Sequence, residues 1–216
     1  MTDRQVFPPP AFPPLELRAQ GLACGRAGLT LVDNLDFAVA GGTCLLLRGP
    51  NGTGKTTLLL TLAGVVPPLA GAMVIDGADA DAGPQLHYCG HRNAIKPRLS
   101  VLENLSFWAQ LNGETGVSPQ AALEEVGLGS LARLDAGHLS AGQSRRLALA
   151  RLLVSLRPVW LLDEPTAALD SQGHTLVARL LDGHLARGGL AIVATHDPID
   201  LAPTSQLEIL SLKAAA

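Results

Sequence analysis

The stretch GPNGTGKTT, Gly49 to Thr57, decides how this chain is read. It follows the apolar run TCLLLR (Thr43 to Arg48) and precedes LLLTLAG (58–64). A short apolar run bounded by glycines reads as a buried strand. The residues after it predict a helix from Thr56 to Ala63, stopped by Gly64, Pro67 and Pro68. Gly49, Pro50, Asn51, Gly52, Thr53, Gly54, Lys55 and Thr56 fit G-x-x-x-x-G-K-S/T. In such a loop the glycines let successive backbone N–H groups turn inward around an anion. Lys55 supplies a point charge for the outer phosphates, and the Thr56 hydroxyl suits Mg²⁺. The phosphates then lie at the positive end of the new helix. Because the motif is complete and stands between strand and helix, it predicts a nucleoside triphosphate site rather than an idle glycine turn.

A second acidic element supports that expectation. VWLLDE (Val159 to Glu164) reads as a buried strand ending in two carboxylates, whose side chains point to opposite faces and so cannot do the same job. Beside a phosphate loop, Asp163 is expected to help hold Mg²⁺ and Glu164 to orient or polarise the attacking water. Just ahead of it, LSAGQSRRLALARLL begins at Leu139. Ser140 is a candidate cap for a helix from Ala141 to Leu153, with Ala141 and Gly142 leaving room for an oxygen-rich ligand. Arg145, Arg146 and Arg151 predict a basic side for this helix, with Leu147, Leu149 and Leu152 turned inward.

Working outward, Leu15 to Ala19 and Leu29 to Val39 read as an antiparallel ribbon broken by Gly21, Gly25 and Gly28. Ala72 to Ile75 and Gln85 to Cys89 read as strands. Ser100 to about Leu134 reads as helical, with Ser118 and Pro119 opening one of its helices. The α/β alternation then resumes, through a helix from Gln172 to Ala186, a strand from Leu190 to His196 and an edge strand LEILSL. The expected fold is therefore α/β, around a single domain with a small helical subdomain at roughly 100–134. At 216 residues the chain can bury a sizeable core. Its net charge of -3 argues against a nucleic-acid partner. Mean hydropathy is +0.26, yet no apolar run is long enough to span a bilayer. The start, MTDRQVFPPPAFPPLEL, lacks a signal-peptide core and reads as a loose proline-rich arm. Cys24, Cys44 and Cys89 show no metal-like spacing and read as reduced thiols of a cytosolic protein.

The order GPNGTGKT, LSAGQ, LLDEP, ALD and ATH resembles that of an ATP-binding cassette ATPase, over about Leu15 to Leu212. The resemblance implies a P-loop nucleotide hydrolase of that type, hydrolysing ATP with Mg²⁺. Residue by residue, Gly49 to Thr56 resemble the Walker A loop, with Thr57 following. Leu139, Ser140, Ala141, Gly142 and Gln143 resemble the family signature, with Ala141 at a usual glycine. Val159 to Asp163 resemble Walker B, with Glu164 as catalytic carboxylate. Ala168, Leu169 and Asp170 resemble the D-loop, with Ala168 for the usual Ser. His196 is similar to the switch histidine that contacts the γ-phosphate. Many relatives stack an aromatic on adenine where Arg26 stands here, and an arginine plane can also stack on a base. Where relatives carry Gln near the metal, this chain has His91. In this family ATP is held between the Walker A loop of one subunit and the signature of another. That implies a head-to-tail homodimer.

CGR before the ribbon turn, GHRNAIKPRLSVLENLSFW and LSAGQSRRLALARL together resemble the ATP-binding subunits of cytochrome c maturation systems, once described as haem exporters. That resemblance implies an integral membrane subunit as partner, with haem-handling membrane proteins nearby. It also implies a peripheral place on the cytoplasmic face of the bacterial inner membrane. Docking is expected in a groove lined by His91, Arg92, Asn93, Ile95 and residues near Trp108. The alternative within the class is the ATPase of another small-molecule ABC transporter. A cassette acting on DNA or ribosomes usually has coiled-coil arms or paired cassettes, for which there is no room. Intact Glu164 and His196 weigh against a binding-only switch.

Overall fold

The computed structural model describes residues 12–77 and 85–212. The proline-rich arm up to residue 11 therefore lies outside the described residues. Two compact units emerge. The first, built on 12–90, 157–165 and residues from 178 onward, carries the sheets.

In this unit β1 (Glu16–Arg26) and β2 (Leu29–Ala40) form an antiparallel hairpin, and β4 (Ala70–Asp76) pairs antiparallel to the other side of β1. The sequence suggested breaks at Gly21 and Gly25. The strand instead runs through both, and its register shifts are confined to the segment from Ala19 to Gly25. A Cβ on Gly25 would stand 2.1 Å from the Leu29 carbonyl, so a bulge closes there that only glycine permits. Gly28 makes the turn, as expected, with φ 80°.

A second sheet is parallel, with strand order β5 (Leu86–Cys89), β6 (Val159–Asp163), β7 (Leu190–Ala194), β3 (Thr43–Arg48) and β8 (Gln206–Ser211). Strands β6 and β7 are buried along their whole length, as near-continuous Val, Ile and Leu runs demand in a parallel sheet. LEILSL takes the edge. Helix α1 (Lys55–Leu62) follows the phosphate loop and sinks Leu58, Leu59 and Leu62 among Leu17, Leu22, Val39, Leu47, Leu161 and Ile192. That core fixes β3, α1 and the loop between them. All three cysteines are buried free thiols, and burial pushes the Cys44 thiol up to about 12.

The second unit comprises 91–156 and 166–177. It holds α2 (Val101–Asn112), α3 (Pro119–Glu125), short 3-10 turns at Gly129–Leu131 and Ala136–His138, and α4 (Ala141–Val154). Within 100–134 the described residues add no strand to either sheet, only a bridge from Ser100 to Asp135. The helical unit is larger than the 100–134 expectation because α2 and α3 bury their apolar faces against α4. Helix α5 (Ser171–Leu185) begins in this unit and ends in the other.

Helix α4 differs from its sequence reading. Arg145 is only 2% exposed and donates to Asn93 Oδ1 at 3.1 Å. The Arg151 guanidinium lies over the Trp108 ring, 4.6 Å from its centroid. The expected basic side is thus spent inside the unit, since α4 is buried on nearly all faces from Leu147 onward.

Candidate functional site

The loop between β3 and α1 is shaped by its glycines. Gly49 has φ 147° and Gly54 has φ 96°, and a Cβ on Gly54 would sit 2.9 Å from that of Leu31 on the ribbon. The ribbon therefore closes down on the loop, with Arg26 exposed at its tip beside the Ala27–Gly28 turn. Gly54 caps α1 without a side-chain hydrogen bond, which leaves the first N–H groups of the helix available to an anion. Lys55 is 8% exposed, and its Nζ donates to the carbonyls of Gly49 at 2.6 Å and Pro50 at 3.0 Å. The ammonium is thus curled within its own loop. Thr53 and Thr57 face inward, and Thr53 Oγ1 donates to the Pro50 carbonyl at 3.0 Å. Pro50, Asn51, Gly52 and Thr56 are exposed.

The acids at the end of β6 meet different partners, for a reason other than strand alternation. The strand stops at Asp163, and Glu164 takes a left-handed backbone with φ 49° while donating its N–H to the Ala194 carbonyl at 2.7 Å. A non-glycine residue held there is a strained conformation of the sort found at functional sites. Asp163, 3% exposed, accepts a hydrogen bond from Thr56 Oγ1 at 2.9 Å. A hydroxyl facing a buried carboxylate is the hard-oxygen donor set that Mg²⁺ takes, with water and phosphate oxygens completing its shell. The residues therefore fit the metal. His91 is exposed in the helical unit, whereas Thr56 and Asp163 belong to the sheet unit. Among the described residues no cluster of three or more His, Cys, Asp or Glu forms a metal cage.

Glu164 turns instead toward His196. His196 Nε2 stands 3.5 Å from Glu164 Oε1 and 2.8 Å from Asn51 Oδ1, and its backbone N–H points at Glu164 Oε2, 3.4 Å away. Three residues singled out separately in the sequence thus meet: a loop asparagine, the acid after β6 and the histidine after β7. Their pairing was not predicted. Neither was Arg48, whose guanidinium donates to the carbonyls of Thr195 at 2.7 Å and Asp197 at 2.8 Å. The only hint was a charged residue closing an otherwise apolar strand.

In the helical unit the LSAGQ segment forms a compact cap. Leu139 is half-buried and extended, Ser140 accepts from the Gln143 N–H at 3.2 Å, and Gln143 Oε1 accepts from the Ser140 N–H at 2.9 Å. Ser140 and Ala141 are exposed. A Cβ on Gly142 would come within 2.9 Å of the Ala168 carbonyl, so that position needs glycine whereas Ala141 carries its methyl outward at no cost. Ala168 itself has φ 64°, and Asp170 holds Arg146 Nη2 at 3.1 Å. The Gly173 N–H and that guanidinium keep the Asp170 carboxyl below the usual carboxylate range. Ser140, Gly142, Gln143, Arg146 and Ala168 to Asp170 line a cavity of about 370 Å³. In the same unit Arg92 is exposed, while Asn93, Ile95 and Trp108 are half-buried.

Residues 32–167 match the ABC transporter family. The chain is 52% identical over 188 residues to the cytochrome c biogenesis ATP-binding export protein CcmA of Rhodopseudomonas palustris strain BisB5, a match covering 86% of this chain and 94% of that protein. With the protein of the same name from Rhizobium meliloti it shares 45% identity over 202 residues, covering 90% and 98%. Among solved structures, a dimeric bacterial ABC transporter cassette superposes with a TM-score of 0.76 at 25% identity, covering 91% of this chain and 94% of that one.

Proposed function

From its membership of the ABC transporter ATP-binding family, we propose that this chain powers a membrane complex of c-type cytochrome biogenesis. It is an ABC-type ATPase. The observation that carries its chemistry is the convergence of Asn51, Glu164 and His196 beside the Thr56–Asp163 pair. Gly49 to Thr57 cradle the phosphates of ATP, and uncurling Lys55 from its loop carbonyls brings its ammonium to the β- and γ-phosphates. Thr56 and Asp163 would hold Mg²⁺, which would supply charge neutralisation at those phosphates, and we assign His91 a supporting contact. Glu164 orients the attacking water and takes its proton. His196 contacts the γ-phosphate, and Arg26 lies against the adenine. The whole chain acts as one cassette domain, with residues about 100–134 in its helical subdomain.

The biogenesis role rests on similarity to proteins of that name at 45% and 52% identity. It implies an integral membrane subunit as partner, haem-handling membrane proteins nearby, and a peripheral site on the cytoplasmic face of the inner membrane. Within that role we assign it release of a haem-loaded chaperone, which the family resemblance implies, rather than passage of haem itself. No helix among the described residues is long and apolar enough to cross a membrane, and the proposed position rests on a bound membrane subunit.

The test separates binding from chemistry. Glu164→Gln keeps ATP bound and lowers turnover about a hundredfold, the usual loss for one transition-state contact. Lys55→Ala weakens both. Equilibrium ATP binding and steady-state turnover, measured in the assembled membrane complex, read the two effects apart. Near-normal turnover in Glu164→Gln removes that residue from the mechanism. A deletion strain with unchanged cytochrome c maturation leaves the chain to another small-molecule transporter.

A further inference from the structure

Arg48 closes β3 immediately ahead of Gly49, and both its backbone and its side chain are engaged. Its carbonyl accepts the Leu212 N–H at 2.8 Å, just beyond the end of β8. Its guanidinium donates from Nη1 to the Thr195 carbonyl at 2.7 Å and from Nη2 to the Asp197 carbonyl at 2.8 Å. These two carbonyls flank His196 on either side. The turn between them is further closed by the Asp197 N–H donating to Thr195 Oγ1 at 3.1 Å. The backbone that carries the histidine therefore hangs from the residue that begins the phosphate loop. His196 then returns to that loop, with its Nε2 at 2.8 Å from Asn51 Oδ1.

We propose that Arg48 is a positioning residue for ATP hydrolysis, holding His196 in register with the phosphate loop so that the two respond to nucleotide together. This rests on the reading that Glu164 and His196 act on ATP. The geometry suits arginine in particular. A planar fork presents two donors at fixed spacing to two neutral acceptors, whereas lysine offers one compact, freely rotating charge that does not fix the two carbonyls relative to each other. With both flanking peptides gripped, the imidazole has little freedom except about its own side-chain torsions. Its approach to Asn51 and Glu164 is then set by β3 rather than by the exposed turn. Misplacing a reacting group by about 1 Å can cost on the order of a hundredfold in rate.

The test is a double-mutant cycle in the full chain assembled with its membrane complex. Arg48→Lys, Arg48→Met and His196→Ala are made singly, and each Arg48 change is combined with His196→Ala. Both Arg48 variants should lower kcat about tenfold or more with KM for ATP nearly unchanged, because ground-state binding by the loop survives. In the His196→Ala background the same changes should lower kcat no further, since the group they position is gone. Unchanged kcat, or losses that simply add in the double variants, would overturn the proposal. So would failure of both Arg48 variants to fold, which assigns the residue to the fold alone. Full activity in His196→Ala is a separate outcome and removes the underlying reading of the site together with the proposal.

Discussion

His184 shows how one side chain can set a property of the whole fold without touching the nucleotide site. It is buried on α5, stacked on Trp160 of β6 with ring centroids 3.9 Å apart, and met edge-on by Phe12 at 5.5 Å. Burial pushes its pKa down to about 3; Arg187 and His87 push the same way, while the Leu190 and Pro158 carbonyls pull upward without prevailing. The folded chain thus holds a neutral imidazole where the unfolded chain binds a proton near its ordinary 6.5. Stability from this group is complete above pH 6.5 and declines as pH falls toward 3. The decline is at most about 1.4 kcal/mol per pH unit. Urea midpoints should be flat just above neutrality and drop below it, and His184→Gln should flatten the first part of that drop, before carboxylates begin to protonate. A parallel fall in both proteins would place the titration elsewhere. None of this was legible in the sequence, because the partners at positions 12, 160 and 190 come together only through the fold. Lys55, Thr56 and Asp163 were legible as candidates because local spacing alone singles them out. Arg48 and the Asn51–His196 contact depend on β3 and β7 pairing in register, which no short motif encodes.

Two helices begin with the same device and differ in what else that device does. Ser100 caps α2 and Ser140 caps α4, each in a reciprocal box, with Glu103 and Gln143 respectively returning the hydrogen bond. The Ser100 N–H and hydroxyl hold the Glu103 carboxyl below the usual carboxylate range. Either Ser→Ala change should cost about 1 kcal/mol of stability. Only Ser140→Ala should also slow ATP turnover in the assembled complex, because only that serine lies in the segment that the family resemblance sets against ATP on a second copy. Melting curves and turnover rates for the pair test this directly, and equal turnover would reduce Ser140 to a cap. At this scale the sequence was informative about where elements lie, since α4 begins at Ala141 as expected. It was poor on their surroundings. The arginines of α4 read as a basic side, yet Arg145 is buried against Asn93, because a helix enclosed by neighbours must pair its charges internally. The bulge at Gly25 was likewise read as a break, since a glycine in a strand looks the same in both cases until its partner strand is known.

Taken as a whole, the chain presents the start of its LSAGQ segment to solvent. Ser140 and Ala141 are exposed at the start of α4, above a cavity of about 370 Å³ lined in part by Arg146 and Asp170. An exposed helix start with a capping hydroxyl is suited to a phosphate, and in the family that phosphate belongs to ATP on a second copy. Two copies related by a twofold axis bury two such surfaces at once, one on each nucleotide. The driving force then depends on the intact γ-phosphate, because ADP no longer reaches the serine. Glu164→Gln is the variant to use, since it holds ATP without consuming it. With Mg²⁺ and ATP its sedimentation should shift to twice the mass of the chain, and with ADP it should remain at the mass of one. Adding Lys55→Ala should abolish the shift by weakening ATP binding. Adding Gly142→Ala should weaken it as well, since the new methyl would press within 2.9 Å of the Ala168 carbonyl and displace the segment that faces the second copy. A single species at one mass under every condition, even with the membrane subunit supplied, would refute the head-to-tail pair.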